Sequence, residues 1–546
     1  MKKGLVKVTA VLCAATLGMG LAGCGLKAPE VKVEEGTVRI AVLDRGYGKQ
    51  FAYDLAEAFS AKSAETGYKA QVTFDTTDTA GITNMMEMGI DNEGDVFFSE
   101  SSPVFEWLAR KNTFVPGYDY GLADMEDILD APADPAYKEV QENPDLTNRD
   151  IINASVLDQL TLDENGKVYA LPWTTDITGI YYNHKVLTEL NEGLSDAEKI
   201  ELPKTTDDMF DVMDKVKTLR KADEDPYPFT FGNQHNYLDN CAFTTWWAQY
   251  AGEDELNNFR QGKDVNGEYT AQIFNTPSRL AALEVMRELV NPANGYAASG
   301  DYDLHVYMSQ DQFFEGEALF HFNGGWLERE QSEKFETSEY DVRSFKMPVV
   351  SSIVDKWPKV FTGTDDEKDD QLRAALDYID GEGEKPSFLE GHDDVLDSLR
   401  KARNTISSKG VHMNMFIPSC SENLEGAKEF VKFMLSKEGQ EIMMKGSWGN
   451  LCGLTIDPSQ LDCYATATET QKSRLDVYCD SEVVVGFAKK YPMEYLSGLV
   501  PYRDGASPQK TFATTSPASA ADYQKDEVSD YTLRWNAMLS QAGIKK

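Results

Sequence analysis

Positive charge is what this sequence has least of for its size. Its 546 residues hold 53 Lys and Arg against 91 Asp and Glu, a net charge of −38. A nucleic-acid partner is excluded on that balance, because neutralising phosphates needs clustered Lys and Arg. Histidine is scarce, at 6, and the 7 cysteines are scattered with no CxxC pair, so zinc, haem or any other cofactor is not expected. Also missing are HExxH, a GxSxG elbow, a GxxxxGK[ST] phosphate loop, and a GxGxxG at a strand–helix junction. Beyond the N-terminus no segment approaches the ~20 apolar residues of a membrane-spanning helix. Disorder is excluded in turn, because 41% hydrophobic and 11% aromatic residues supply enough apolar surface for packed cores. The length suggests roughly two to four compact units.

The N-terminus reads as an address. Lys2, Lys3 and Lys7 precede an apolar, small-residue stretch, Val8 to Ala22, that contains no acid. It is too short to span a bilayer comfortably and has the plan of a signal peptide over residues 1–23. It ends Leu21-Ala22-Gly23-Cys24, which resembles a bacterial lipobox, with Cys24 as the residue that takes the lipid. Residues 24–36 then form a polar tether, and the body is expected outside the cell, held by lipid at the outer face of the cytoplasmic membrane. Cleavage removes three Lys and no acid, so 50 basic residues face 91 acidic ones, a net charge of −41. Among Cys452, Cys463 and Cys479 both one bridge and three small buried thiols are compatible with the spacing.

The body reads as α/β. Thr37 to Leu43 is a β-branched run, and Asp44-Arg45-Gly46-Tyr47-Gly48 is a loop after it. A helix with Phe51, Leu55 and Phe59 on one face follows, then strands at Lys69–Phe74 and Asp95–Phe98. This order predicts a mostly parallel sheet with helices on its faces, and ligands at the carboxyl ends of its strands. Asp44, Arg45 and Tyr47, and then Glu100 and Ser102 after the third strand, fall at such ends. Thr205 or Thr206 is placed to cap a helix to about Leu219, with Asp208 completing a capping box. Pro277–Val290 is a further amphipathic helix, and Ser436 separates the helices Leu424–Leu435 and Lys437–Lys445. Thr362–Leu399 is an acidic excursion. Its run Asp365-Asp366-Glu367 with Asp369-Asp370 lacks the glycine-turned loop of a calcium site and reads as a solvated charge run.

The residues that suggest a function are aromatics beside polar groups: Trp173 with Asp176, Trp246 with Trp247, and Asn323 with Trp326. Aromatic faces stack on the C–H faces of sugar rings while Asp, Asn and Arg bond the hydroxyls. Core packing is the competing reading for each Trp. Trp246 and Trp247 sit about 100° apart on one helix and cannot point the same way.

Four segments in order resemble the extracellular solute-binding proteins of ABC importers, of the carbohydrate-binding kind. They are the opening strand with Asp95–Ser102, Tyr169–Lys185 (YALPWTTDITGIYYNHK), Phe313–Trp326 (FFEGEALFHFNGGW) and Ala427–Met444 (AKEFVKFMLSKEGQEIMM). The resemblance implies a two-lobed periplasmic-binding-protein-like fold, each lobe a mostly parallel sheet flanked by helices, joined by hinge crossings. It puts the first lobe at 37–174 plus 351–447, with an acidic insertion near 351–410, and the second at 175–350 plus 448–546. The crossings then fall near Trp173–Gly179, Ser344–Val350 and Ser447–Leu454. It implies that Trp326 stacks on a sugar and that Asp176 is a ligand-facing acid. Ser99 and Ser102 replace a Trp and an Asp of the family pattern, so that contact is altered. The implied function is capture rather than catalysis: a monomer takes a small solute, by this resemblance a carbohydrate and specifically an oligosaccharide, in the cleft between its lobes and passes it to ABC permease subunits. Peptide, polyamine or oxyanion capture, and a surface glycan-acting enzyme, remain the alternatives.

Overall fold

A computed structural model describes residues 34, 36–82, 94–100, 121–162, 165–220, 226–486 and 506–541. The signal segment, the Cys24 lipobox and Ser102 lie outside the described residues. In chain order the strands of the two main sheets are β1 (Thr37–Leu43), β2 (Lys69–Thr76), β3 (Val96–Glu100), β4 (Leu171–Pro172), β5 (Thr178–Asn183), β6 (Tyr227–Thr230), β7 (Ala318–Gly324), β8 (Val342–Ser344), β9 (Thr405–Ser407), β10 (Met413–Phe416) and β11 (Val483–Val485).

The first sheet has the order β2-β1-β3-β10-β4. β1 is parallel to both β2 and β3, while β10 runs antiparallel to β3 and β4. A strand flanked in this way is buried on both faces, which accounts for the continuous apolar run of TVRIAVL. The exception, Arg39, forks its guanidinium onto Asp95 at 3.0 Å, so the acid that opens β3 is held by the neighbouring strand. Phe51, Leu55 and Phe59 of the helix Gln50–Ala61 face this core.

The second sheet has the order β11-β9-β5-β7-β6, and β8 pairs with β5. β5 enters from the first lobe antiparallel to β7, β8 and β9, and parallel pairs β6–β7 and β9–β11 flank it. Local capping follows the sequence closely. Thr205 and Asp208 form a capping box on the helix Thr206–Leu219, Thr276 caps Pro277–Val290, and Ser436 caps Lys437–Gly446.

The acidic segment lies elsewhere than the expected boundaries put it. Val349 pairs with Thr205 of the second lobe, and β9 joins β5 and β11. Between them the helices Asp365–Ile379 and Asp393–Arg403 share a small core of their own, and the latter packs on the helix Thr244–Gln261. The insertion therefore belongs to the second lobe, because its apolar side has cover only there. The chain returns to the first sheet between Ser407 and Met413, not near Ser344–Val350. Likewise Leu451, Leu454, Leu475 and Tyr478 remain in the first core, and the second sheet is rejoined only at Val483, not near Ser447–Leu454.

The acidic run itself is a helix start. Thr364 and Glu367 form a capping box, and Asp365 and Asp366 sit in the first turn, where the helix dipole favours negative charge. Among the described residues no cluster of His, Cys, Asp and Glu is arranged to hold a metal, and no helix is long and apolar enough to cross a membrane. Cys452, Cys463 and Cys479 carry free thiols, with Cys463 Sγ 3.4 Å from Met444 Sδ.

The C-terminal helix Ala520–Gln541 is fastened to the second lobe through a buried charge pair. Arg279 Nε and Nη2 each donate to Glu527 at 2.7 Å, with both side chains out of solvent. Removing one partner leaves the other charge desolvated. Glu527→Ala is expected to cost about 3–5 kcal/mol, while Arg279→Met with Glu527→Leu recovers most of it. Thermal and urea melts of the three proteins check this; equal melting points for wild type and Glu527→Ala would refute it.

Candidate functional site

The carboxyl ends of β1 and β3 in the first sheet face those of β6 and β7 in the second. The facing pieces are the loop 44–48, Ser99–Glu100, the loop 231–238, and the turn Gly324-Gly325-Trp326. Contact across this seam is close. Gly46 lies against Trp326, so that a β-carbon on Gly46 would stand 2.6 Å from Trp326 Cβ. Asp44 Oδ1 is 3.6 Å from Arg329 Nη2. The Tyr47 ring meets Trp326 edge-on at 6.5 Å and Trp173 edge-on at 5.8 Å. Tyr237, from the loop after β6, closes on the indole of Trp326 at 6.0 Å and 83°. Trp326 is left only 7% exposed.

Beneath the aromatics lies a polar knot. The Asp176 carboxylate accepts the backbone N–H of Gly325 through Oδ1 at 2.5 Å. On the other side of the same residue, Arg474 Nη1 donates to the Gly325 carbonyl at 2.6 Å, and Nη2 donates to the Trp448 carbonyl at 2.7 Å. Trp448 has φ +58°, a left-handed conformation unusual for a bulky side chain. Thr174 and Thr175 bind the segment beyond it: Thr174 Oγ1 donates to Asn450 Oδ1 at 2.6 Å, and Leu451 N–H donates to Thr175 Oγ1 at 3.0 Å. Burial pushes the Tyr47 hydroxyl well above the usual phenol range, helped by the charge of Asp176 and opposed by Arg474. Tyr47 is therefore a neutral hydroxyl.

The residues selected from sequence separate into groups. Asp44, Tyr47, Trp173, Asp176 and Trp326 converge on the seam, and Arg45 and Glu100 flank it, joined through the Thr79 hydroxyl at 3.2 and 3.3 Å. Trp173, however, is fully buried, stacked on Phe51 at 5.1 Å with its Nε1 bonded to the Ser99 carbonyl. It is a floor under the seam and has no face for a solute. Asp176 is likewise fully buried and spent on the turn, a correction to its expected ligand-facing role. Asn323 is locked between His321 Nε2 at 2.9 Å and the Gly324 N–H at 2.8 Å.

Trp246 and Trp247 are core residues. Trp246 packs edge-on to Phe322 of β7, and Trp247 packs on Phe259 with Nε1 donating to Ser278. Their helix lies between the sheet and the helix Pro277–Val290, so both of its sides are covered and indoles 100° apart both find cover. Arg474, Tyr237 and Trp448 were not singled out from sequence. Only Tyr237 carried a signal, in its polar and aromatic loop GNQHNY.

Residues 119–455 match the family model described as bacterial extracellular solute-binding protein. The chain belongs to that family. Its fold is similar to that of the bacterial solute receptor AcbH, described as exclusive for β-D-galactopyranose (11% identity, 92% of this chain and 98% of that chain covered, TM-score 0.57). It is similar also to the cyclic α-maltosyl-1,6-maltose binding protein of Arthrobacter globiformis (13% identity, 92% and 99% covered, TM-score 0.54). The apo form of RafE from Streptococcus pneumoniae is comparable (13% identity, 93% and 99% covered, TM-score 0.54). No curated protein matches the chain in sequence.

In a solute-binding protein of two lobes, the seam is where closure is decided. Here the loop 44–48 covers Trp326, and only a glycine at position 46 fits the approach. Gly46→Leu is expected to hold the lobes apart. Small-angle scattering would then give a larger radius of gyration for the variant than for wild type; identical radii would sink the idea that this contact limits closure.

Proposed function

We propose that this extracellular solute-binding protein captures a carbohydrate between its lobes and delivers it to ABC permease subunits, without chemical change to the solute. The observation that carries this is the grouping of Trp326, Tyr47 and Tyr237 at the carboxyl ends of β7, β1 and β6, with Asp44, Arg45, Glu100 and Arg329 around them. Rings that present apolar faces beside charged hydrogen-bonding groups suit a pyranose, which has C–H faces and an equatorial belt of hydroxyls. The sugars named for proteins of similar fold agree with this class. Opening of the seam uncovers Trp326, the sugar takes the place of the loop 44–48 against the indole, and closure buries it. Only affinity that differs between the open and closed states shifts that equilibrium.

The same proposal includes the anchor. Cys24 carries lipid after removal of residues 1–23, the tether 24–36 spans the gap, and the monomer works at the outer face of the cytoplasmic membrane.

Two measurements test these points. Calorimetry against a sugar panel is expected to find binding with no product formed, and Trp326→Ala is expected to weaken it at least about tenfold while melting remains cooperative. Undiminished affinity in that variant would remove Trp326 from the site. Cys24→Ala is expected to shift the protein from the membrane pellet to the soluble fraction; a variant that still pellets contradicts the anchor.

A further inference from the structure

Tyr237 stands in the loop 231–238, and that loop is held from two sides. Its first half is tied to the neighbouring wall of the second lobe. Asn233 N–H donates to the Asp301 carbonyl at 3.3 Å, Gln234 N–H to the Leu304 carbonyl at 3.1 Å, and Asn233 Nδ2 to the Tyr302 carbonyl at 3.0 Å. Its second half, which carries Tyr237, is held by Gln509, a residue 271 positions beyond Leu238 in the chain. Gln509 Oε1 accepts the Leu238 N–H at 3.0 Å, while Nε2 donates to the His235 carbonyl at 2.8 Å and to Asn233 Oδ1 at 3.1 Å. One side-chain amide therefore fixes the backbone on both sides of Tyr237.

The clamp itself is firmly based. Gln509 is fully buried, and its own N–H donates to Asp239 Oδ1 at 2.9 Å, so the residue that ends the loop grips the clamp in return. Ser507 caps the short helix Pro508–Phe512, and Phe512 is buried in the core of the second lobe. Just before it, the Ala506 carbonyl accepts the Tyr523 hydroxyl at 2.7 Å, from the helix that Glu527 fastens to Arg279. Beyond the loop the chain enters a π-helical turn, Asp239–Phe243, a rare form that occurs mostly at functional sites. A buried amide carries a desolvation cost that an apolar side chain of equal volume avoids, and only paired hydrogen bonds offset it. Core filling alone would be served by Met or Leu. What the amide adds is a fixed spacing between two backbone groups of the loop.

We propose that Gln509 is a positioning residue for the solute site, acting through the loop 231–238 to hold Tyr237 edge-on to Trp326. The C-terminal segment 507–512 thereby sets the wall beside the indole. This rests on the carbohydrate reading above and adds to it the part of the chain that pre-organises the site. Without the clamp, binding must order the loop as well as take up the solute, and affinity falls by that cost.

Gln509→Met keeps the volume and removes the clamp. Calorimetry with D-galactose, maltotriose, raffinose and xylotriose tests it on the full mature protein, together with hydrogen exchange of the sugar-free protein. For the sugar that binds wild type, Gln509→Met is expected to lower affinity about tenfold. In a Tyr237→Ala background the same substitution is expected to change affinity by less than about twofold, because the ring it positions is gone. Exchange over residues 233–239 is expected to be faster in Gln509→Met than in wild type. A thermal melt checks that the variant folds; if it does not, Gln509→Asn replaces it, with an amide one methylene too short to reach both backbone groups. An equal loss of affinity with and without Tyr237, or equal exchange over 233–239, overturns this inference while leaving sugar capture intact. Failure of wild type to bind any of the four sugars overturns the carbohydrate reading and the affinity arm with it, and the exchange comparison, which needs no sugar, still decides the clamp.

Discussion

The seam depends on how one residue, Gly325, is gripped. A buried carboxylate, Asp176, takes its N–H and a buried guanidinium, Arg474, takes its carbonyl. Hydrogen bonds to charged groups contribute about 1.5–3 kcal/mol each, and each charge here offsets part of the other's desolvation. No side chain fits between them, since a β-carbon on Gly325 would stand 2.4 Å from Asp176 Oδ1. The grip ties the strand that leaves the first lobe, the turn that carries Trp326, and the helix Glu469–Cys479 into one unit. Trp326 is thereby held at a set height and angle. The second hand of Arg474, on the Trp448 carbonyl, extends the same unit to the turn that follows the helix Lys437–Gly446 of the first lobe.

Around that unit the lobes are unequal. The first is a small sheet with parallel centre and antiparallel edge. The second carries the acidic insertion, the C-terminal helix and the loop 231–238 with Tyr237. Added mass lies on the lobe that holds the aromatics, and the first lobe supplies the loop 44–48 that meets them. In the structure this short glycine-bearing loop is docked on the aromatic surface.

Much of the fold was legible in the sequence because its signals are local. A capping box lies within four residues, as at Thr205–Asp208. The face of Phe51, Leu55 and Phe59 needs only the period of a helix. The segment FFEGEALFHFNGGW carried the turn at Trp326. The site was legible only in part. Asp176 was expected to face solute and instead holds a backbone amide. Trp246 and Trp247 were candidates for contact and are core, because a helix covered on both sides buries side chains that periodicity sends in different directions. Arg474 gave no sign at all, since a polar residue on a mixed helix shows its burial only when the opposing turn is known.

The sequence by itself determined the acidic charge, the alternation of strands and helices, the caps, the membership of a two-lobed class and the order of motifs along the chain. The charge, the alternation and the caps follow from composition and from contacts between near neighbours, and the two-lobed class from the resemblance of four ordered segments to a family. Tertiary structure alone decided that the insertion rests on the second lobe, that the hinge is crossed after Ser407 and again before Val483, and that Trp326 is covered by Gly46 from the other lobe. In each case the partner surface comes from residues far away in the chain. Burial is a property of two surfaces, and one stretch of sequence describes only one of them.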